Sequence, residues 1–201
     1  MKKSNINNFT RGTGVLENLL SNLRAQKANS LIDNNLRAGK VLDIGCGLFP
    51  YFLSSTEFKE KYGIDKYIYQ KGFNDKEVHL KQIDVENEKI PFPEEHFDVV
   101  VMLAVFEHIK PENLEFVIGE IFRVLKKNGQ LIVTTPSQWS VPVLHILSRI
   151  NIISKVEIDD HKNSFSALSI ADQIRKSGFN KEKIKKGYFE LFLNMWFMAR
   201  K

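Results

Sequence analysis

The stretch "KVLDIGCGLFPYF", residues 40–52, joins a short apolar run to an acid and a glycine-containing loop. Gly45 and Gly47 lack a Cβ atom, so the chain can turn tightly there and its backbone can approach a ligand closely. Open α/β sheets bind ligands beyond the carboxyl ends of their strands, where a first loop of this kind would lie. The loop is therefore predicted to hold a nucleotide-like cofactor.

Two acids further along the chain indicate which cofactor the loop would hold. Asp65 lies 22 residues after Asp43 at the end of a second short apolar run, where a carboxylate can accept hydrogen bonds from a ribose diol. Asp84 ends a third run, where a carboxylate can accept from the exocyclic amine of a base. Pro50 replaces the third glycine of the dinucleotide pattern G-x-G-x-x-G, which disfavours a pyrophosphate site and a dinucleotide-dependent oxidoreductase. A cofactor without phosphate would tolerate Asp43 beside the loop.

The segments that carry these residues alternate between strand and helix patterns. Apolar residues at helical spacing predict helices over 15–36, 51–58 and 167–177, and a further helix in "NLEFVIGEIFRVLKKNG" that ends at Gly129. Short β-rich runs predict strands in "KVLDIG", "KYGIDK", "VHLKQIDV", "FDVVVMLAVF" and "QLIVTTP", with two closing strands in "KIKKGYFELFLNMWFMARK". This alternation predicts an α/β fold with a parallel sheet.

Four of these segments resemble the successive motifs of the class I S-adenosylmethionine-dependent methyltransferases, of the small-molecule, type 11-like kind. They are "VLDIGCG", "YGIDK", "QIDVENEKIPFPEEHFDVVVMLAVFEHI" and "EIFRVLKKNGQLIVTTPS", in the family's order over about residues 38–137. The resemblance implies a Rossmann-like, doubly wound sheet of seven mostly parallel strands with an antiparallel last strand. It also implies a methyltransferase domain, 38–201, an N-terminal helical cap, 1–37, and a lid or acceptor-binding insertion, 137–165.

The same resemblance implies that ten positions bind S-adenosylmethionine. The methionine end would contact the glycine loop and the end of the fourth strand, the ribose would contact the end of the second strand, and the adenine would contact residues after the third. In that order, the positions are Asp43, Gly45, Cys46, Gly47, Leu103 and Ala104, then Asp65 with Lys66, then Asp84 with Val85. The family often has a third glycine where this chain has Phe49, so the loop is expected to be narrower or reshaped.

Methyl transfer from a sulfonium depends mainly on alignment of the acceptor, and a base helps only where the acceptor loses a proton. The candidate bases are His108, which follows the fourth strand beside Glu107, and His161 with the neighbouring acids Asp159 and Asp160. Histidine is the natural choice because its charge changes near neutral pH. His108 could instead pack beside the next helix, and His161 could belong to a polar loop with Asp159 and Asp160. The spacing of these histidines and acids along the chain does not match that of metal ligands, so no metal site is predicted. Four aromatic residues could line an acceptor pocket or pack in the core: Tyr51, Phe106, Trp139 and Phe165.

Composition indicates one globular domain. The chain has 201 residues, 43% of them hydrophobic, and a single cysteine, Cys46, which excludes an internal disulfide. The sequence shows no secretory signal and no transmembrane run, so a cytoplasmic location is expected. Residues 1–40 carry seven Lys/Arg against two Asp/Glu, and residues 181–201 carry six against two. These basic ends suit an anionic partner or, more simply, a solvated surface.

The resulting hypothesis is a methyltransferase that acts on a small molecule or a biosynthetic intermediate. A nucleic-acid methyltransferase is the alternative, favoured by the basic ends. Against it, "LAVFEH" stands where amino-methylating DNA enzymes carry an Asn/Asp-Pro-Pro-aromatic motif, and no stripe of basic and aromatic residues is present. A non-catalytic cofactor-binding module is a third hypothesis, which the intact acids Asp65 and Asp84 disfavour. The acceptor atom and the oligomeric state stay open.

Overall fold

A seven-stranded sheet forms the centre of the computed structural model, which describes residues 17–68, 77–140 and 165–201. The strands stand in the order β3-β2-β1-β4-β5-β7-β6, and β7 alone among them runs opposite to the other six. They are β1 Lys40–Ile44, β2 Glu60–Asp65, β3 Val78–Gln82, β4 Phe97–Leu103, β5 Leu125–Pro136, β6 Ile184–Phe189 and β7 Asn194–Arg200. The predicted Rossmann-like α/β sheet with an antiparallel last strand is confirmed.

Helices cover both faces of this sheet. They are α1 Glu17–Leu31, α2 Tyr51–Ser54, α3 Leu114–Val124 and α4 Ala167–Lys176. On one face, Ala28 of α1 belongs to the same buried cluster as Val99 of β4. On the other face, Ile121 of α3 and Ile170 of α4 belong to the same buried cluster as Val100. Successive side chains of a strand point to opposite faces, so β4, covered on both, is apolar apart from Asp98 near its start.

The strand ends define two edges of the sheet that differ in what they carry. The carboxyl edge contains the ends of the parallel strands and the loops that follow them: Ile44, Asp65, Leu103, Pro136 and Phe189. The amino edge contains the starts of the same strands: Lys40, Glu60, Phe97, Leu125 and Ile184. Ligands of open α/β sheets bind at the carboxyl edge.

The helix predicted to run to Gly129 is shorter than expected. It ends at Val124, because Leu125 already pairs with Phe97 as the first residue of β5. Pairing across the sheet outweighs the helix propensity of the two lysines that follow. Gly129 is needed for a different reason than a helix stop, since a Cβ atom there would lie 3.0 Å from the carbonyl oxygen of Asp98.

Other predicted boundaries also change. The helix predicted over 15–36 consists of α1 and a separate 3-10 turn at Asn34–Leu36, and the helix predicted over 51–58 has four residues. The third strand ends at Gln82, so Asp84 lies two residues beyond it. The predicted insertion, 137–165, lies largely outside the described residues, apart from a 3-10 turn at Gln138–Ser140 and Phe165. Within the described ranges, no helix is long and apolar enough to cross a membrane.

Candidate cofactor and acceptor site

The loop after β1 is shaped by Gly45 and Gly47, both in the left-handed region with φ of 73°. A Cβ atom at Gly45 would lie 2.2 Å from Cγ2 of Val105, so only glycine lets the loops after β1 and β4 pack together. A Cβ atom at Gly47 would meet no described atom within 4 Å, so this part of the loop borders open space. The backbone of Gly47 is therefore accessible to a ligand at the carboxyl edge. Cys46, between them, buries its side chain in the cluster beneath α1 and α2, which leaves only its backbone for a ligand.

The Asp65 carboxylate at the end of β2 fixes the position of this loop. Its Oδ2 accepts a hydrogen bond from the N–H of Gly47 at 2.9 Å, and its Oδ1 accepts one from the N–H of Tyr67 at 2.8 Å. The glycine loop and the second-strand acid thus form one unit.

Asp43 lies on β1 beneath the loop and is only 3% exposed. Burial, and after it the negative charge of Asp65, raise the pKa of the Asp43 carboxyl well above its ordinary value. Both effects disfavour a negative charge, and a cation placed nearby would oppose them. The two acids therefore favour a cationic ligand and disfavour a phosphate at this end of the site.

Lys66 and Asp84 form an ion pair beside the second and third strands, with Nζ 2.9 Å from Oδ2. The Asp84 carboxylate also accepts hydrogen bonds from the side chain of Asn87 and the N–H of Glu86. Burial alone would raise the pKa of Asp84, but the bond from Lys66 and these two others together lower it. Asp84 is therefore held as an ionised acceptor. Val85, next to it, packs partly buried against the core.

The end of β4 lies beside the glycine loop, because β1 and β4 are adjacent and Ile44 pairs with Met102. Leu103 is half-buried there, and Ala104 follows in the left-handed region with φ of 56°. The N–H of Ala104 donates to the carbonyl oxygen of Thr134 at 2.9 Å, which holds this conformation. Non-glycine residues kept in the left-handed region concentrate at functional sites.

One of the two candidate catalytic histidines, His108, lies in the 3-10 turn Phe106–His108 that follows β4. Glu107 is buried, and its carboxylate accepts a hydrogen bond from Oγ1 of Thr135 at 3.0 Å. His108 is half-buried next to it. His161, with Asp159 and Asp160, lies outside the described residues. Within the described part of the chain, no group of three His, Cys, Asp or Glu side chains could hold a metal ion.

A cleft of about 380 Å³ opens where β5 ends, between the start of α4 and the hairpin of β6 and β7. Trp139 and Phe165, both candidates from the sequence, line it together with Tyr188 and Met195. The sequence interpretation missed the last two, although "KGYFELFLNMW" places aromatic residues on both sides of the predicted turn. The cleft wall is therefore largely aromatic and apolar.

The other two aromatic candidates lie elsewhere. Phe106 is buried, and its ring lies 5.3 Å from that of Phe165 in an edge-to-face contact, so it supports the cleft from behind. Tyr51 packs with the cluster beneath α1 and α2, on the opposite face of the sheet. The structure thus brings together two of the four predicted pocket residues, with a third beneath them.

Comparison with known proteins places this architecture in a family. A family model described as a methyltransferase domain matches residues 16–184. An uncharacterized protein of Methanocaldococcus jannaschii is 30% identical over 132 residues, which are 63% of this chain and 56% of that protein. A tRNA N(3)-cytidine methyltransferase of Gallus gallus is 26% identical over 121 residues, which are 52% of this chain and 32% of that protein. The chain therefore spans about half the length of the first relative and a third of the second.

Solved structures share the fold at low sequence identity. An S-adenosylmethionine-dependent methyltransferase of Mesorhizobium loti superposes with a TM-score of 0.67 at 12% identity, covering 90% of this chain and 100% of that one. A putative methyltransferase of Haloferax volcanii, solved in complex with the Trm112 activator, gives 0.68 at 12% identity over 92% and 94% of the two chains. A possible histamine N-methyltransferase of Thermotoga maritima gives 0.65 at 19% identity over 91% and 90%.

The residues at the carboxyl edge fit the cofactor that the motifs imply. S-adenosylmethionine carries a sulfonium and an ammonium group but no phosphate. The buried acids Asp43 and Asp65 suit such a cation, and the open backbone at Gly47 gives it room. With the family model and the shared fold, the predicted resemblance is confirmed, and the chain belongs to the class I S-adenosylmethionine-dependent methyltransferases.

Proposed function

We propose that the chain binds S-adenosylmethionine across the ends of β1, β2 and β4 and transfers its methyl group to a small-molecule acceptor. The observation that carries this proposal is the unit formed by Gly47 and Asp65, joined at 2.9 Å, above the buried Asp43. This unit supplies backbone donors and carboxylates at the carboxyl edge, where α/β sheets bind cofactors.

Each part of the cofactor has a counterpart among the described residues. The cationic methionine end is held near Asp43 and the loop backbone, against Leu103 and Ala104 at the end of β4. The ribose hydroxyls donate to Asp65. The adenine is placed beside Val85 and the Asp84 carboxylate, which Lys66 keeps ionised and in position. These assignments retain the ten positions implied by the sequence motifs.

The methyl group bound to the sulfonium is the reactive group that the cofactor supplies, already activated by its positive charge. The protein then has to orient the acceptor and keep water away from the sulfonium. Where the acceptor must lose a proton, His108 is placed just beyond β4 to receive it, and His161 is a second candidate. The turn that contains His108 is attached to the end of β5 by the hydrogen bond from Thr135 to Glu107.

A small-molecule acceptor is supported by the cleft beside Trp139 and Tyr188. Its volume, about 380 Å³, falls within the range of roughly 300–1,000 Å³ typical of small-molecule sites. Its apolar, aromatic lining suits an acceptor with a ring or an aliphatic body.

An RNA acceptor is the second candidate, and a specific observation favours it: one relative is a tRNA N(3)-cytidine methyltransferase. The basic C-terminal stretch, 181–201, would assist binding of phosphates. Transfer of a radioactive methyl group to total tRNA, compared with a small-molecule extract of the same cells, separates the two candidates. Incorporation into tRNA alone would overturn the small-molecule proposal.

The cofactor part of the proposal is tested by thermal unfolding with S-adenosylhomocysteine and, in parallel, with NAD. A ligand at about 100 times its dissociation constant adds roughly 2.7 kcal/mol to the free energy of unfolding. We expect stabilisation by S-adenosylhomocysteine and none by NAD. Stabilisation by neither ligand would contradict the proposed site.

A further inference from the structure

The hairpin between β6 and β7 has an unusual backbone. Its four-residue turn runs from Glu190 to Leu193, and three consecutive residues, Glu190, Leu191 and Phe192, lie in the left-handed region with φ of 51°, 53° and 68°. None is glycine, and each such residue costs roughly 1–2 kcal/mol in that region. Ser137 holds the turn, since its hydroxyl lies 2.9 Å from the carbonyl oxygen of Phe192 and its N–H donates to that of Leu193. The surrounding structure therefore maintains a strained turn.

This turn places Glu190 at the carboxyl edge, beside the ends of β5 and β7. Asn194, the first residue of β7, pairs with Pro136 at the end of β5, and Trp196 pairs with Thr134. The carbonyl of Thr134 in turn accepts from Ala104, a predicted cofactor contact. Two strand spacings of about 4.8 Å separate β7 from β4. The turn also projects beyond Leu103, because Asn194 pairs with Pro136 while Leu103 pairs with Thr134, so more than about 10 Å separates the turn from the end of β4.

Glu190 has one carboxylate oxygen with a partner and one without. Oε2 accepts a hydrogen bond from the side-chain amide of Asn194. Oε1 is buried and has no hydrogen-bond partner, and the only other such side-chain atom in the described ranges is Oγ1 of Thr134. Buried polar atoms without partners are rare, and each calls for an explanation such as an absent ligand.

The two unpartnered atoms belong to the same face of the sheet. Ile132 of β5 and Trp196 of β7 pack with the cluster beneath α1. Because side chains alternate along a strand, Thr134 and Asn194 point to that face as well. Asn194 binds Glu190, so both unpartnered atoms lie on the α1 side of the carboxyl end of β5 and β7.

The electrostatics of this corner favour a hydrogen-bond donor that carries charge. Burial raises the pKa of the Glu190 carboxyl, and the positive charge of Arg24 on α1 and the bond from Asn194 oppose this only in part. A carboxylate oxygen that is buried without a partner is stabilised most by an ionised N–H donor.

We propose that Glu190 is an acceptor-binding residue, and that its Oε1 receives the ammonium group of an amine-bearing methyl acceptor. The inference rests on the proposed methyltransferase function and adds the substrate class to it. Glu190 was not among the residues singled out from the sequence.

Benzylamine and benzyl alcohol test this inference, because they share a ring and differ in the donor group. Each is titrated by calorimetry at millimolar concentrations into protein saturated with S-adenosylhomocysteine. We expect benzylamine to bind at least about tenfold more tightly than benzyl alcohol. Glu190→Gln, which keeps the shape and the bond to Asn194, should remove this preference. The matched control, Glu182→Gln, removes an exposed carboxylate that precedes β6 at the amino edge of the sheet, and it should change neither value.

Two outcomes would overturn the inference: equal or undetectable binding of the two compounds, or an amine preference that survives Glu190→Gln. Binding of S-adenosylhomocysteine is measured separately on each variant and should stay unchanged in Glu190→Gln. If the parent protein binds that ligand but shows no amine preference, only this inference fails. If it does not bind that ligand at all, the proposed function fails.

Discussion

At the amino edge of the sheet, every side-chain nitrogen of Arg123 has a hydrogen-bond acceptor. At the carboxyl edge, one carboxylate oxygen of Glu190 and the hydroxyl of Thr134 have no hydrogen-bond partner among the described residues. Arg123 donates to both oxygens of Glu120 and to the carbonyls of two residues before β4, each at 2.8 Å. The N–H of Ile90 completes the network by donating to Glu120 at 2.9 Å. Polar groups at the amino edge are thus satisfied by the protein itself.

Backbone strain does not distinguish the two edges. Glu95 and Asn128, at the amino edge, have positive φ like Ala104 at the carboxyl edge. Both backbone N–H groups have acceptors. That of Glu95 donates to the carbonyl oxygen of Arg123, and that of Asn128 donates to the carbonyl oxygen of Lys201, each at 3.0 Å. The two edges differ instead in whether their buried polar side-chain atoms have hydrogen-bond partners within the protein. This difference indicates a role in stability for the amino edge and in ligand binding for the carboxyl edge.

Exposed apolar side chains follow the same division. They lie in the first turns of three helices, after β2 and β5, and around the β6–β7 hairpin, all at the carboxyl edge. In the described ranges they are Leu19, Tyr67, Phe116, Trp139, Leu168, Tyr188, Leu191 and Phe192. Among them, Tyr188 and Phe192 lie together, with ring centroids 5.8 Å apart. Exposed apolar groups that lie together mark binding surfaces more often than scattered ones do.

The largest effect is expected where the amino edge is broken. Arg123→Leu leaves the largely buried Glu120 carboxylate without its ion pair, and removing one partner of such a pair costs about 3–5 kcal/mol. Urea denaturation should show this loss in the free energy of unfolding, while the affinity for S-adenosylhomocysteine, measured below the unfolding transition, stays within about twofold. The control is Arg175→Leu, which breaks an exposed pair with Asp172 at the same i,i+3 spacing and should leave stability unchanged. Equal losses in the two variants would contradict the structural role of the Arg123 network.

At the carboxyl edge, substitution is expected to weaken cofactor binding more than it lowers stability. Asp65→Asn keeps an acceptor oxygen for only one of the N–H groups of Gly47 and Tyr67, and it removes the charge that ribose hydroxyls would meet. Hydrogen bonds to a charged group contribute about 1.5–3 kcal/mol, so the affinity for S-adenosylhomocysteine should fall by about tenfold to a hundredfold in calorimetry. Asp172→Asn, an exposed aspartate on α4, serves as the control and should bind normally. An unchanged affinity in Asp65→Asn would remove Asp65 from the cofactor site.

What could be predicted from the sequence also divides along these lines. The acids at strand ends and the glycine loop were predictable, because a strand, its last residues and the following turn are local in the chain. The corner at Glu190 was not, since it depends on the antiparallel pairing of β5 with β7, which joins Thr134 to Trp196 across 62 residues. The error at Gly129 has the same origin, because pairing of Leu125 with Phe97 decides where α3 ends.

The pH dependence of stability sharpens the comparison at Asp43. Its carboxyl pKa is raised in the folded protein above the ordinary 3.8, mainly by burial, so the folded state binds more protons than the unfolded state between these values. The contribution of Asp43 to the free energy of unfolding is therefore fully present below that ordinary value. It is lost as pH rises through the pKa of the folded state. Asp43→Asn lacks this contribution, so the excess of its melting temperature over the parent should grow as pH rises from about 4 to 8 without ligand. Asp172→Asn should show no such growth, because the side-chain bonds from Arg175 and Lys176 lower the pKa of Asp172 instead. A constant excess for Asp43→Asn would mean that the acid ionises freely.

The smallest effect is expected at the ion pair of Lys66 and Asp84, which belongs to the carboxyl edge but is satisfied within the protein. The Lys66 side chain is 51% exposed, so solvent screens the pair and its contribution to stability is at most about 1 kcal/mol. Lys66→Met should therefore barely change urea denaturation, and Lys185→Met, an exposed lysine on β6, is the matched control. If Asp84 meets the adenine, loss of the lysine that positions it should weaken S-adenosylhomocysteine by about twofold to fivefold at low salt, and less at high salt. A salt-independent loss would indicate that Lys66 contacts the cofactor directly, which would make this pair part of the binding surface and not its support.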